Sequence, residues 1–438
     1  MNNREKAEQI FISGVRSVMA DKLINGIMSL SGSVLRIGEL SFSLENIGNI
    51  FVIGAGKASA AMGHHVENIL GNLITEGHII VKYQHSVKLK KIKVTEAGHP
   101  VPDLNGFRAS EDILRIAHQA TENDLVICLI SGGGSALMAD LPEGCLPEEI
   151  IIVNNLLIRS GATINEINTV RKHLSQIKGG QLTKAVWPAT LVSLILSDVT
   201  GNPLEVIASG PTVPDTSTFG DALQILEKYQ LIYDVTSGIL NYLKEGAEGI
   251  IPETPKPGDP VFAKTFNILA GTNLTALEGA KKCANDLGFN TFIIESELQG
   301  DVENVSRAIV DAALYYKNNI EIRKPFCLLY GGETTIKVTG EGLGGRNQHL
   351  ALSAALKIQN LPGITILSAG TDGNDGPTNA AGAVVDSETM LVSSSLKLDP
   401  EIFLREFDSF NFFRKTGGHI ITGPTFTNVM DLAVVIVE

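Results

Sequence analysis

Cysteine is scarce in this chain: four residues in 438, at Cys128, Cys145, Cys283 and Cys327, with no C-x-x-C pair. That excludes a disulfide scaffold, and it reads as small buried thiols in a reducing compartment. Basic residues are outnumbered, 35 against 48, for a net charge of -13. A nucleic-acid binder normally carries a basic face, so that class is set aside. Small anionic substrates stay open, because a cleft can be locally basic in an acidic protein. No run approaches the roughly 18 apolar residues of a membrane helix. At 44% hydrophobic and 19% charged the chain is too apolar for a disordered one. Short tandem repeats and low-complexity tracts are missing too. The first twenty residues carry Arg4, Glu5, Lys6, Glu8 and Arg16 among apolar positions, which reads as an amphipathic helix and not a signal peptide. These absences lead to the expectation of a soluble, cytoplasmic protein with no membrane and no nucleic-acid partner.

What the chain has in quantity is glycine, 44 residues. Many of them follow short apolar runs. Residues 49–53, 125–130 and 191–196 are such runs, and each enters a turn rich in Gly or Asp. Continuous apolar runs suit strands buried on both faces of a parallel sheet, and helical stretches between them point to βαβ units. Residues 78–81 and 92–94 read as further strands. Between 245 and 260 stand four prolines and three glycines, which break regular structure. A domain boundary is therefore expected there, giving domains 1–250 and 251–438. Strands are expected in the second domain at 266–269, 291–295, 326–330, 335–338, 364–367, 383–385, 419–421 and 433–437. In open parallel sheets ligands sit outside the carboxyl ends of the strands, where most of the glycine-rich turns lie.

Several turns carry groups that could do chemistry. Gly54, Ala55, Gly56, Lys57, Ala58 and Ser59 follow a strand and open a helix, a setting in which backbone N–H groups and a lysine meet an anion. The spacing is not that of a Walker A loop, and Ala60 stands at the third glycine of a dinucleotide fingerprint. Ser131, Gly132, Gly133, Gly134 and Ser135 form a second such turn, suited to a nest for phosphate or carboxylate. Asp198 could hold a metal, take a proton from a hydroxyl, or cap a helix. Glu333 follows two glycines after a strand. Arg346 and Asn347 follow a loop with further glycines, a setting for bidentate recognition of carboxylate or phosphate. Asp372 and Asp375 stand among glycines after another strand and fit a magnesium or hydroxyl-orienting role, or a solvated turn. Arg171 and Lys172 could cap a cleft or face solvent. For His64, His65 and His99 a structural role is the plainer reading. Together these residues supply what phosphoryl transfer needs: glycine nests, a lysine, an arginine and carboxylates for Mg²⁺.

An ordered set of motifs running from about residue 50 to the C-terminus carries a resemblance. It comprises Gly54 to Ser59, Gly98 to Asp103, Ser131 to Leu137, Asn168 to Ser175, Leu196 to Val199 and Ala208 to Thr212. It continues with Gly331 to Thr334, Gly344 to Gln348, Gly370 to Gly373, and Gly423 to Thr425 with Asn428. In these the chain resembles the glycerate 2-kinases of the MOFRL type, whose members are often labelled hydroxypyruvate reductases. Phe426 departs mildly from the family pattern, which more often has a small residue there. The resemblance implies a Rossmann-like parallel-sheet N-terminal domain, a smaller α/β C-terminal domain, and an active site in the cleft between them. It implies ATP-dependent, Mg²⁺-assisted phosphorylation of D-glycerate to 2-phosphoglycerate, and it is compatible with a homodimer.

The expected division of labour is as follows. The nests at Gly54, Gly56 and Ser59 and at Ser131 to Ser135 hold phosphates, with Glu333 and Asn347 at the nucleotide or substrate. Lys57 neutralises charge on the transferred group. Arg346 contacts phosphate or the glycerate carboxylate. Asp198, Asp372 or Asp375 orients Mg²⁺ or the C2 hydroxyl, and the sequence does not divide those roles. The main rival is an NAD(P)H-dependent hydroxypyruvate reductase, which lacks a ribose-binding acid here: only Glu76 stands nearby, before the second strand. A kinase acting on a related small hydroxy acid and a non-catalytic sugar-phosphate binding module are two further rivals.

Overall fold

The structure, a computed structural model, describes every residue except Glu143. It divides into two compact units: residues 23–270, and residues 1–22 together with 271–438. The division differs from the boundary expected near 250. The proline-rich stretch lies inside the first unit, tied back by Asp215 N–H donating to Pro255 O at 2.9 Å. Asn267 is held there by Thr212, whose hydroxyl donates to Asn267 Oδ1 at 2.6 Å. Prolines mark where helices stop; which sheet the next strand joins is decided by contacts distant in sequence.

The first unit opens with an antiparallel meander that the sequence pattern does not reveal, β1 (Met28–Ser31), β2 (Val34–Ile37) and β3 (Leu40–Ser43). A six-stranded sheet follows: β4 (Ile50–Ala55), β5 (Ile74–Lys82), β6 (Ile92–Ala97), β7 (Leu125–Ile130), β8 (Thr190–Leu196) and β9 (Thr265–Gly271). Its order is β6-β5-β4-β7-β8-β9, and β4 to β8 pair in parallel. Every residue of β4 and β7 is buried, as their unbroken apolar runs require. The order reverses between β4 and β7, because β5 and β6 lie to one side and β8 to the other. That reversal is where open parallel sheets bind ligands, and it carries the two glycine turns at 54–59 and 131–135.

The second unit holds β10 (Asn290–Asp301), β11 (Phe326–Thr335), β12 (Ile364–Gly370), β13 (Gly382–Asp386), β14 (His419–Ile420) and β15 (Asp431–Val437), in the order β10-β11-β15-β12-β13-β14. β10 and β11 are parallel and the other pairings antiparallel. No separate strand forms at 335–338: Thr335 ends β11 and the next residues are irregular. The amphipathic helix Asn3–Ser17 buries Ala7, Ile10, Phe11, Gly14 and Val15, and it belongs to this unit. Arg4 grips Asp386 through two hydrogen bonds of 2.6 Å. Gly14 allows the helix to meet helix Asn273–Asp286 closely, since a Cβ at Gly14 would stand 2.9 Å from Ala276 O. Among the described residues, no helix is long and apolar enough to cross a membrane.

Two glycines should therefore respond oppositely to substitution. Gly14→Val should destabilise by about 1–3 kcal/mol through overpacking. Gly26→Ala, on an exposed helix position with nothing within 4 Å of the new methyl, should stabilise by about 0.5–1 kcal/mol. Urea unfolding midpoints of the two variants check both signs.

Candidate active site

In the first unit the site grows from the ends of β4 and β7. The chain leaving β4 passes so near the chain leaving β7 that a Cβ at Gly56 would overlap Ser131, and one at Gly54 would overlap Leu129. Gly56 has φ 141°, open to glycine and strained for other residues. The two turns are then bonded together. Lys57 N–H donates to Gly132 O at 2.9 Å, and Ser131 N–H donates to Ala55 O at 3.2 Å. Ala58 N–H donates to Ser131 Oγ at 3.0 Å. Gly133 is left-handed at φ 85° and Gly134 begins a short helical turn, the dihedral sequence of an anion nest.

Lys57 stands on this scaffold, half-buried, and among the described residues its ammonium makes no hydrogen bond or ion pair. His99 comes against the nest: a Cβ at Gly133 would stand 2.9 Å from its Nε2. Burial, with the charges of Lys57, Lys82 and His85, lowers the His99 pKa to about 4, so its ring is neutral at neutral pH. Asp198 lies over the other side of the turn, where a Cβ at Gly132 would overlap its carboxylate. The result is an unpaired cation, a backbone nest and one carboxylate, at the carboxyl ends of the two central strands between which the strand order reverses.

Two predicted binding residues face inward instead. Ser59 is fully buried; its hydroxyl donates to Leu129 O at 3.0 Å and lies 3.1 Å from Ser131 Oγ. Ser131 is likewise buried and serves as the acceptor for Ala58 N–H. Both hold the turns together. Glu76 lies inside β5, near its start, and pairs with Arg115 at 2.5 Å.

In the second unit Arg346 begins helix Arg346–Ile358. Its Nε donates to Asp431 Oδ2 at 2.6 Å and its Nη2 to Asp431 Oδ1 at 3.0 Å. Nη1 meets Glu333 Oε1 at 2.5 Å. Burial works against the guanidinium charge, but Asp431 and Glu333 outweigh it and raise its pKa above the ordinary value. Asp372, at the end of β12, shares a neighbourhood with Asp431: their Oδ1 atoms both lie 3.4 Å from the point a Cβ at Gly370 would occupy.

Asp375 does not fit the metal-ligand role. It is 3% exposed, and four donors fill its oxygens: Asn347 N and Nδ2 on Oδ1, Gln348 N and Nε2 on Oδ2. Burial raises its pKa to about 6 against those N–H donors, with Asp431 adding to the rise. It anchors the start of the helix that carries Arg346. Asn347 is also buried and is spent on Asp375 and on Ser368, whose hydroxyl donates to Asn347 Oδ1 at 2.6 Å. Among the described residues no three acidic, histidine or cysteine side chains converge as a metal site.

Sequence reasoning misses Asp431 altogether; the one available signal is an acid at the head of a wholly apolar strand. It underrates His99, whose cue is the proline-fixed loop beside a triple glycine. The departure at Phe426 has a backbone basis, since that residue has φ 57°, a conformation that favours a small residue.

The inward groups make two outcomes measurable. Ser59→Ala should cost about 1 kcal/mol of stability and leave Michaelis constants unchanged, as urea unfolding and steady-state kinetics would show. Acid should weaken the fold: His78 and His99, both lowered from 6.5 to about 4 chiefly by burial, bind protons only on unfolding in that window. Their contribution is full above pH 6.5 and lost as pH falls towards 4. Asp375 acts in the opposite sense from 3.8 to about 6, so the histidine part is read as the change in the slope of stability against pH on His78→Gln.

Residues 6–244 match a domain of unknown function, DUF4147, and residues 326–431 match the MOFRL family. A D-glycerate 2-kinase of Thermotoga maritima is 42% identical over 89% of this chain and 91% of its own. A glycerate 2-kinase of Pyrococcus horikoshii is 40% identical over 89% of this chain and 88% of its own. The crystal structure of a glycerate kinase from Thermotoga maritima superimposes with a TM-score of 0.89 at 38% identity, over 99% of both chains. With identity at this level along nine-tenths of its length, the chain belongs to the glycerate 2-kinase family that joins a DUF4147 domain to a MOFRL domain.

Proposed function

We propose that the protein transfers a phosphoryl group from ATP to the 2-hydroxyl of D-glycerate. The observation that carries the reading is Lys57, a half-buried ammonium without a protein partner among the described residues, held beside a glycine nest at the strand-order reversal. An uncompensated cation in that setting is an anion site, and an acidic chain has concentrated positive charge there: Lys57 and Lys82 both act on His99.

Phosphoryl transfer asks the protein mainly for positioning and charge neutralisation. The nest binds phosphate oxygens through the backbone N–H groups of Gly133 and Ser135, that of Gly134 being spent on Ser131 O at 3.2 Å. Lys57 neutralises charge on the transferred group. Neutral His99 packs against the nest and excludes water from it. In the other unit Arg346 has its Nε edge committed to Asp431, and its Nη1 edge is the one that can exchange from Glu333 onto an anion. Asp198 or Asp372, each within its own unit, would hold Mg²⁺, which when bound spreads the phosphate charge. A cytoplasmic setting is supported by four cysteines that all stand as free thiols.

The reductase reading is the weaker one. A dinucleotide site wants an acid at the end of the second strand, and β5 ends on Lys82. Ala60, at the third glycine position, is fully buried.

Incubation with ATP, Mg²⁺ and D-glycerate should give glycerate-dependent ADP, with phosphorus NMR placing the new phosphate on C2. Phosphate on C3 would reject the regiochemistry, and NADH oxidation on hydroxypyruvate without ATP turnover would favour the reductase. Comparing kcat/KM across small hydroxy acids separates glycerate from its relatives. Lys57→Ala should lower kcat/KM on the order of 10²–10³-fold with an unchanged unfolding midpoint; turnover near the parent level would remove Lys57 from the catalytic set.

A further inference from the structure

A small, partly open pocket lies wholly within the first unit. Pro102 and Ser135 wall it, so the same two loops that hold His99 and the glycine nest form one side. Helices Pro147–Arg159 and Ile164–His173 form another, contributing Asn154 and Arg171. Most of the remaining lining is apolar, including Ile150, Val153 and Leu157.

The charges on this wall are unequal in their compensation. Lys178 Nζ donates to Met138 O at 2.7 Å and to Asp140 Oδ1 at 2.9 Å. Asp140 is also bonded by Ser175 Oγ at 2.8 Å and by Gln176 N–H. That pair is closed. Arg171 is different. Its Nε donates to Asn154 Oδ1 at 2.7 Å, and Asn154 is locked in that orientation by its own Nδ2 donating to Ile150 O at 2.9 Å. Among the described residues the two Nη groups have no acceptor and no carboxylate faces them. Burial alone moves the Arg171 pKa, downward. A guanidinium held by one edge, with the other edge unused beside an apolar wall, is a carboxylate fork waiting for its partner.

A second polar group fits the same ligand. Ser209 Oγ donates to Asn168 Oδ1 at 3.0 Å. Its one proton is spent, so the 2.7 Å contact with Ser135 Oγ has Ser135 as donor. Ser135 Oγ is thereby left as a pure acceptor, the group a ligand hydroxyl needs. We infer that this cavity is the acceptor subsite, in which Arg171 binds the carboxylate of the small hydroxy acid and Ser135 accepts from one of its hydroxyls. The inference rests on the reading of the protein as a hydroxy-acid kinase.

The test compares D-glycerate with its neutral analogue glyceramide. Arg171→Gln should raise the KM for D-glycerate on the order of 10–100-fold, leave the KM for ATP unchanged, and abolish the preference for acid over amide. Arg171→Lys, which keeps charge but loses the fork, should fall between. An unchanged KM for D-glycerate, or an equal loss on ATP, overturns the assignment; a loss on ATP and inorganic phosphate alone would make the anion a phosphate and overturn it too. On the unaltered protein, D-glycerate should protect Arg171 from phenylglyoxal, mapped by mass spectrometry, and glyceramide should not. Protection without phosphorylation would leave the subsite standing and defeat the kinase reading. Phosphorylation without protection would do the reverse.

Discussion

The larger unit depends on two strand ends that touch backbone to backbone. At Gly54 and Gly56 any side chain would collide with Leu129 or Ser131, and the absence of one lets β4 and β7 deliver their turns into each other. The gain is positional. Lys57 is fixed by its own main chain, through the bond to Gly132 O, while its side chain stays uncommitted. A lysine placed by a side-chain ion pair would have had its charge neutralised by the same contact that located it. The cost is entropic, since glycines lose the most freedom on folding, and it is offset by burying every residue of both strands.

The smaller unit solves the equivalent problem in the opposite way. Arg346 is located by carboxylates, with Asp431 on one edge and Glu333 on Nη1. Behind it, buried Asp375 fixes the first turn of its helix by accepting from Asn347 and Gln348. A buried carboxylate is costly unless its lone pairs are filled, and four N–H donors fill them. One unit thus offers a cation ready to attract an anion, and the other a cation that is rigid and already counterbalanced.

Much of this is legible in the residues because buried parallel strands write themselves as unbroken apolar runs. β7 coincides with its run to the residue, and β4, β8 and β12 nearly so. The glycine turns are legible for the same reason: they stand where those runs stop. What the residues do not disclose is direction. A serine that binds phosphate and a serine that bonds to the next loop look alike in a string, so Ser59, Ser131, Asn347 and Asp375 read as ligand contacts and in fact point in. Arg171 goes the other way: it reads as a cap or a surface residue and lies half-buried against a cavity. The unit to which β9 and the first helix belong is not legible at all, because the contacts that place them are far apart in sequence.

That first helix has a consequence for the order of events during synthesis. Its partners include Gly279, which Ser13 meets across 266 residues of chain, and Asp386, bound to Arg4 across 382. At translation rates of roughly 5–20 residues per second, the helix leaves the ribosome on the order of 10–50 s before Gly279 is made and on the order of 20–80 s before Asp386 is. Residues 23–270 have all their sheet partners in hand by then and can fold first. The chain therefore carries the apolar face of an amphipathic helix as a temporary liability, one whose shelter is completed only when the last strand, β15, emerges.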